Sequence, residues 1–397
     1  MSFFEKDELK LLWPYYFGNL ITCTFYFIPA FTVIYLLSLG FSLTKIGILM
    51  AILPLGTILF EIPTGAIADK YGRKFSVILG SFLEAVILFA IFLFNDYYSL
   101  VILFFLLGAV GTLYSGATES WIYDLIMNKN KKILKGFYSH SQLFSSIGFI
   151  LSGIFGAITV AKLGLNSIWV LGGLSWLAFI LFLLKIEEVY TPKKEHKNGF
   201  KEIWNQSVQS VKYSAKHNVL FWIFLAGFFM IIAVTFSETI AFTPYLKNLG
   251  FPDYAFGYFF SAISLVSAIA PLTANFFKGK KKELSFLIFA TAIGSIILLL
   301  IYFANNYFVA IPIILFSLLF YAMKHPVERP FMQKFIPTNM RATILSTQSM
   351  VYSLAGIIAL PIGGLLIDKF GALKVIIISA LLGIPSIIAY LMIKYKK

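Results

Sequence analysis

Long apolar stretches, each about as long as a bilayer is thick, follow one another through this chain of 397 residues. A membrane-spanning helix needs about 20 predominantly apolar residues, and the sequence holds twelve such segments. The predicted fold class is therefore an all-α polytopic membrane protein with twelve transmembrane helices. We place these helices near 11–38, 43–68, 75–94, 98–127, 136–161, 166–185, 218–246, 254–277, 284–303, 307–328, 341–367 and 373–393.

The composition and the positions of the basic residues agree with this interpretation. Hydrophobic residues make up 59% of the chain and charged residues 13%, far from the averages of globular domains. The net charge of +14 does not indicate nucleic acid, because the basic residues lie in the gaps between apolar segments. The positive-inside rule therefore predicts a multi-pass protein of the cell membrane with both termini cytoplasmic. Only five of the 32 Lys and Arg residues fall on the outer side, namely Lys45, Lys162, Lys247, Lys369 and Lys374.

The two halves of the chain repeat each other. The segment Leu39–Gly47 (LGFSLTKIG) matches Leu249–Gly257 (LGFPDYAFG) at an offset of 210 residues. The one long loop lies between the sixth and seventh segments and is rich in Lys. We therefore predict two pseudo-symmetric six-helix bundles, 1–186 and 218–397, joined by a cytoplasmic linker at 187–217. A short surface helix is predicted in that linker at 200–213.

The most distinctive motif lies between the second and third apolar segments. Residues Gly65–Lys74 read GAIADKYGRK and fit the pattern G-x-x-x-D-x-x-G-R-K. This string, in this place, resembles the cytoplasmic loop of the major facilitator superfamily. The segment Glu61–Gly65 (EIPTG) also resembles the drug-efflux-like members of bacteria and archaea. The resemblance implies alternating access, with substrate bound near the membrane midplane between the two halves.

The resemblance also implies a role for the motif. In the family, Asp69 braces the positive N-terminal end of span eleven, and Arg73 pairs with an acid at the inner end of span four, here Asp124. On the simpler interpretation these residues are solvated loop charges, but the complete motif favours a gate. The predicted gate residues are Gly65, Asp69, Gly72, Arg73, Lys74 and Asp124.

Polar residues at membrane depth are the candidates for binding and coupling, since a charge there costs several kcal/mol unless it meets water or a partner. By the resemblance, spans one, four, seven and ten line the central cavity, and in each the polar residues gather on one helical stripe. Glu238 and Glu119 lead as carriers of a proton or a cationic substrate; the alternative is a hydrogen-bonded structural acid. Glu61 fits the gate equally well, and Glu84 is interpreted as structural. The other predicted residues are Asn19, Thr22, Tyr26, Thr112, Ser115, Thr235 and Tyr321.

Two further groups are given structural interpretations. A dense cluster near the inner end of span ten is predicted to be a cytoplasmic salt-bridge cluster rather than a binding site. It consists of Lys324, His325, Glu328 and Arg329. His140 is interpreted as a hydrogen-bonded residue rather than a proton group.

The sequence does not indicate an enzyme. It has no P-loop pattern, no nucleophile beside a base and no pair of His at metal-ligand spacing. Cys23 is the single cysteine, so no intrachain disulfide forms. We expect no cofactor and no metal.

The predicted function is secondary active transport, with proton-coupled export of lipophilic or cationic small molecules. The alternatives are a proton-coupled uptake permease for a sugar or an organic anion, and a non-transporting receptor or scaffold. The expected partners are a small-molecule substrate, protons and the bilayer, without nucleic acid, and the protein is expected to be a monomer. Span five, Gly148–Gly156 (GFILSGIFG), lacks the Pro of the family's antiporter element G-P-x-x-G-G. The resemblance therefore fixes neither the direction nor the substrate.

Overall fold

The computed structural model describes residues 4–189, 213–214, 216–273, 283–337 and 340–393. Within them, eleven helices are long and apolar enough to cross a membrane, and a shorter apolar helix, Ser167–Leu183, stands sixth in order. This arrangement confirms the predicted all-α fold. The linker from 190 to 212, including most of the predicted surface helix at 200–213, lies outside the described residues. The helices are α1 Glu8–Ser38, α2 Leu43–Tyr71, α3 Arg73–Leu93, α4 Tyr97–Lys129, α5 Lys131–Leu163, α6 Ser167–Leu183, α7 Asn218–Asn248, α8 Asp253–Leu272, α9 Glu283–Phe303, α10 Tyr307–Gln333, α11 Thr343–Phe370 and α12 Ala372–Leu391.

Several spans change geometry partway along, where the apolar pattern meets Pro, Gly or polar residues. The segment Ile28–Ser38 resumes α1 after a break that precedes Pro29, and α4 is broken between Gly111 and Ser115. In α7 the segment Thr235–Ala241 is π-helical, and in α10 a break after Ala322 precedes His325–Gln333. Such interruptions release backbone groups and are frequent at functional positions.

The first compact unit comprises 1–40, 49–194 and 252–264. In it α1 packs on α5 and α6, and α3 packs on α4 and α6. Aromatic side chains fill the contacts: Tyr16 stacks on Phe144 with ring centres 5.1 Å apart, and Tyr35 meets Trp169 edge-on at 5.2 Å. Large aromatic rings therefore pack together with many aliphatic side chains in the core of this unit.

The second compact unit comprises 41–48, 195–251 and 265–397. Here α7 packs on α11 and α12, while α9 packs on α10 and α12. These pairings repeat those of the first unit six helices later, as expected for an internal repeat. The buried cluster includes Leu220 of α7, Leu287 of α9, Phe331 of α10 and Tyr390 of α12.

The beginning of α2 belongs to the second unit, and the beginning of α8 belongs to the first. Asp368 at the end of α11 accepts hydrogen bonds from the backbone N–H groups of Leu43 and Thr44, at 3.0 and 2.8 Å. It thereby caps the N-terminus of α2. In the first unit, α5 and α8 approach so closely that a Cβ on Gly153 would lie 2.1 Å from the carbonyl oxygen of Gly257.

Candidate functional site

The turn between α2 and α3 has a conformation that requires glycine. Gly72 lies between the two helices with φ at 101°, a backbone region that other residues enter only with strain. A Cβ at this position would also lie 2.7 Å from a carboxylate oxygen of Glu188. By contrast, Gly65 is exposed, and a Cβ there would meet open space beyond its own helix backbone and chain neighbours among the described residues.

Arg73 connects this turn to α4. One guanidinium nitrogen forms a salt bridge with the Asp124 carboxylate and donates a hydrogen bond of 2.9 Å to the Ser120 carbonyl. The two side chains are 22% and 42% exposed, so the pair is only partly shielded from water. The structure thus brings together the pair that the resemblance implies, while its role in a gate stays a prediction.

Lys74 connects the same turn to the end of α6. Its backbone N–H donates to Glu188 at 2.9 Å, which places a carboxylate at the N-terminus of α3. Its ammonium donates to the carbonyls of Ile186 at 2.5 Å and Leu184 at 3.2 Å. A cation at the last carbonyls of a helix is favourable, so Lys74 ties α3 to α6.

Glu187 adds a second tie to α4. Its carbonyl accepts a hydrogen bond from the indole of Trp121, and its carboxylate lies 2.7 Å from the Lys129 ammonium. The hydrogen bond from Lys129 lowers the pKa of the Glu187 carboxyl from its usual value. Sequence reasoning missed both Glu187 and Glu188. The signal that could have identified them is an acidic pair directly after a span, in a loop that is expected to be basic.

The polar stripes of α1 and α4 lie in the first unit, but most of their members are engaged within the protein. The amide of Asn19 donates to Ser145 at 2.7 Å, and the Thr22 hydroxyl donates to the Gly18 carbonyl at 2.9 Å. Tyr26 lies at the break in α1, and Thr112 accepts a hydrogen bond from Thr64 at 2.8 Å. The exposed members are Ser115 and Glu119 of α4. Two predicted site residues of α2, Glu61 and Asp69, are also exposed.

Two buried acids of the first unit were not expected to be important. Glu8 is 0% exposed, accepts from Tyr16 at 2.8 Å and lies 2.5 Å from Nδ1 of His140. This contact agrees with the hydrogen-bonding interpretation of His140. Glu84 is 3% exposed, and one of its oxygens has no hydrogen-bond partner among the described residues.

In the second unit, Glu238 is an exposed acid within a membrane-length helix. It lies in the π-helical segment of α7, where the neighbouring Thr235 and Ser237 are buried. That segment packs on α11 and α12. Glu238 itself is exposed.

The cluster on α10 lines a cavity of about 480 Å³ within the second unit, between α7, α10 and α11. We call it the Lys324 cavity. Its α7 wall is apolar and includes Met230, Ile231 and Val234. Its polar lining comes mainly from Tyr321, Lys324, His325, Glu328 and Arg329 of α10, and Gln348 and Tyr352 of α11.

The charged residues of this cavity are not paired with one another. Lys324 is 4% exposed, and its ammonium lies 5.3 Å from the centre of the Tyr390 ring. Glu328 accepts a hydrogen bond of 3.2 Å from the Tyr390 hydroxyl. In the described part of the chain, no salt bridge joins Lys324, His325, Glu328 or Arg329 to one another. The four residues lie together, and their role as a salt-bridge cluster stays a prediction.

Comparisons with known proteins agree with this architecture. The family model described as Major Facilitator Superfamily matches residues 15–360. The chain is 26% identical to the uncharacterized MFS-type transporter YxaM of Bacillus subtilis (strain 168), covering 90% of this chain and 89% of that one. It is 25% identical to the quinolone resistance protein NorA of Staphylococcus aureus (strain COL), covering 69% and 68%. The crystal structure of the nucleoside transporter NupG superposes with a TM-score of 0.77 at 16% identity, covering 99% and 100%.

Proposed function

Because the chain belongs to the major facilitator superfamily, and is thus a multi-pass membrane transporter and not an enzyme, we propose that it exports lipophilic or cationic small molecules in exchange for protons. Its two six-helix bundles, 1–186 and 218–397, would expose a central site alternately to the two sides of the membrane. Gradient energy drives such a cycle without a cofactor.

The exposed carboxyl of Glu238 carries this proposal. Contact with hydrocarbon would cost a carboxylate several kcal/mol, so the side chain is expected to face a water-filled passage. A carboxyl in such a passage takes up a proton when the surroundings are desolvated and releases it when water or a cation enters. The π-helical segment around Glu238 is a type of irregularity that is frequent at functional sites.

Two observations support export of a lipophilic compound. The segment Glu61–Gly65 resembles the drug-efflux-like members of the family, and the similar NorA protein is described as a quinolone resistance protein. Glu61 and Glu119 are exposed acids of the first unit, so they are further candidates for meeting a cationic substrate.

A second candidate function is proton-coupled uptake of an organic anion, and the Lys324 cavity favours it. An anion site needs a positive charge on its lining, and Lys324, near the inner end of span ten, lies on the lining of this cavity. Lys324 is buried, and no carboxylate forms a salt bridge with it in the described ranges. A sugar permease has no comparable observation in its favour.

A transport assay in proteoliposomes separates these functions. We expect ethidium, a lipophilic cation, to accumulate in vesicles with an acidic lumen and to be released when a protonophore collapses the gradient. Protein-free vesicles are the control. Failure to accumulate ethidium would contradict cation export, whereas gradient-driven entry of an organic anion from an acidic exterior would support the second candidate.

We further propose that the protein is a monomer of the cell membrane with both termini cytoplasmic. In a Cys23→Ser background, Asn95→Cys and Asn305→Cys are expected to react with an impermeant thiol reagent in intact cells. Lys131→Cys is expected to react only after permeabilisation. Labelling of Lys131→Cys in intact cells would reverse the proposed orientation.

A further inference from the structure

We propose that the Lys324 cavity is a binding site for an organic monocarboxylate with an apolar body, which would give the second candidate function, transport of an organic anion, its binding site. The proposal rests on the proposed transport function only in placing the cavity on the transport path. Binding itself needs no gradient.

The first argument is the state of the Lys324 ammonium. The side chain is 4% exposed, and burying a cation is expensive unless an opposite charge or several acceptors compensate it. Within the described residues, neither a salt bridge nor a side-chain hydrogen bond of Lys324 is found. Its ammonium lies 5.3 Å from the centre of the Tyr390 ring, and the Glu328 carboxylate acts on it electrostatically without forming a salt bridge. The ammonium therefore retains unused capacity for an anion.

The second argument is that the nearest acid is held elsewhere. Glu328 lies one helical turn beyond Lys324, but its Oε2 accepts from the Tyr390 hydroxyl. The pair does not close into a salt bridge, so both charges remain on the cavity lining. The negative charge of Glu328 would repel a second negative charge on the ligand. A monoanion therefore fits better than a phosphate or a dicarboxylate.

The third argument is the presence of a hydrogen-bond donor for which no acceptor is found among the described residues. The amide of Gln348 donates to the Tyr352 hydroxyl at 3.1 Å, and no hydrogen bond donated by that hydroxyl is found in the described part of the chain. Gly227 makes room for this ring, because a Cβ there would lie 1.7 Å from the hydroxyl oxygen. Lys324 and Tyr352 both line the cavity, so each is a hydrogen-bond donor that a bound carboxylate can use.

The size and the opposite wall of the cavity indicate the rest of the ligand. A volume of about 480 Å³ falls in the range of small-molecule pockets and is far larger than an inorganic ion needs. Met230, Ile231 and Val234 supply an apolar surface, against which an aliphatic or aromatic body buries area favourably. The exposed Arg329 adds positive charge at the same cavity, which favours entry of an anion.

Calorimetric titration of the purified protein in detergent tests the proposal. The probes are benzoate and benzamide, which share a ring and nearly the same shape but differ in charge. We expect the wild type to prefer benzoate by about tenfold or more, which corresponds to about 1.4 kcal/mol. Lys324→Gln is expected to remove that preference, and Lys324→Arg to keep most of it.

The matched control is Lys334→Gln. Lys334 directly follows α10. Its ammonium forms a salt bridge of 2.6 Å with Glu283, and its side chain is 57% exposed. Removing it lowers the net charge by the same amount and is expected to leave the preference for benzoate unchanged. Equal binding of benzoate and benzamide by the wild type would overturn the proposal without any variant. So would a preference for benzoate that survives in Lys324→Gln. Because no gradient is applied, neither result depends on whether transport is coupled to protons.

Discussion

Arg73 in the first unit and Lys324 in the second are both basic groups beside long apolar helices, but the protein treats them in opposite ways. Arg73 has a carboxylate and a backbone carbonyl as partners, and its side chain stays 22% exposed. Lys324 is 4% exposed and has no carboxylate partner in the described ranges. In the described ranges, the more deeply buried cation is thus the one without a salt bridge.

This difference separates two uses of charge in one chain. A cation that its own protein neutralises fixes one arrangement of helices, because breaking the pair leaves an uncompensated acid. A buried cation without a salt bridge stabilises the fold little. Its free energy falls most when an anion binds beside it. We therefore expect changes at the first cluster to alter conformation and stability, and changes at the second to alter ligand selection.

The largest expected effect is that of Arg73→Ala. Loss of a partly exposed pair with a second hydrogen bond is expected to cost one conformation about 2 kcal/mol, which shifts a two-state equilibrium by about 30-fold. Transport of ethidium should then fall by more than about tenfold, while its affinity stays nearly unchanged. Binding and transport measured on the same purified variant check this, with Lys131→Ala as the control for an exposed cation. A large loss of affinity with normal turnover would place Arg73 in the binding site instead.

The next largest effect is expected at Gly72. Gly72→Ala forces a side chain into a positive-φ conformation and against the Glu188 carboxylate, at an expected cost of about 1–3 kcal/mol. Gly65→Ala is the matched control from the same motif. It is expected to be neutral or slightly stabilising, because Gly65 lies within α2 with open space around it. Thermal unfolding of both variants decides, and equal destabilisation would show that the motif needs both glycines for a reason other than local geometry.

A smaller effect, of opposite sign, is expected at Lys324. Replacing an uncompensated buried charge with an apolar side chain of similar length is often neutral or stabilising, so Lys324→Met should leave stability unchanged or raise it by up to about 2 kcal/mol. Arg73→Met, with its paired acid left behind, should lower it. A marked loss of stability in Lys324→Met would mean that Lys324 is compensated within the protein, and the contrast with Arg73 would disappear.

The smallest effect is expected for the exposed pair of Lys129 and Glu187. Its partner lowers the pKa of Glu187 in the folded protein, so the contribution of the pair is present above the ordinary pKa of a glutamate. It is lost as the pH falls through the lower folded value. Lys129→Gln should therefore change the unfolding temperature barely measurably at pH 7, and not at all in acid. An equal effect at both pH values would show that Lys129 acts through packing rather than charge.

Much of the fold followed from the sequence, since apolar length and loop charge are local properties. The all-α fold is confirmed, with eleven helices of membrane-spanning length and a shorter apolar one among the described residues. The interruptions in α1, α4, α7 and α10 are the main additions. Arg73 and Asp124 could be paired in advance because the family motif supplies the partner. The contact of Glu188 with Lys74 could not be predicted, because the two residues are 114 positions apart and no motif connects them.

The candidate sites were harder to predict for the same reason. The contact between Glu8 and His140 joins residues 132 positions apart. Residues from three helices line the Lys324 cavity. The polar stripe of a single helix predicts only the residues that this one helix contributes. The sequence placed Lys324 in a cluster of four residues with His325, Glu328 and Arg329, where an ion pair was the simplest expectation. Only the packing shows which of those charges has a partner.

The most direct test of the transport account is substrate movement by Glu238→Gln in proteoliposomes, with Glu119→Gln as the matched acid of the first unit. The glutamine mimics a permanently protonated Glu238. We therefore expect the variant to lose accumulation of ethidium driven by a pH gradient while it keeps exchange of labelled for unlabelled ethidium. Glu119→Gln should retain part of the gradient-driven accumulation. Undiminished gradient-driven transport in Glu238→Gln would contradict the account, and loss of it only in Glu119→Gln would transfer the coupling role to α4.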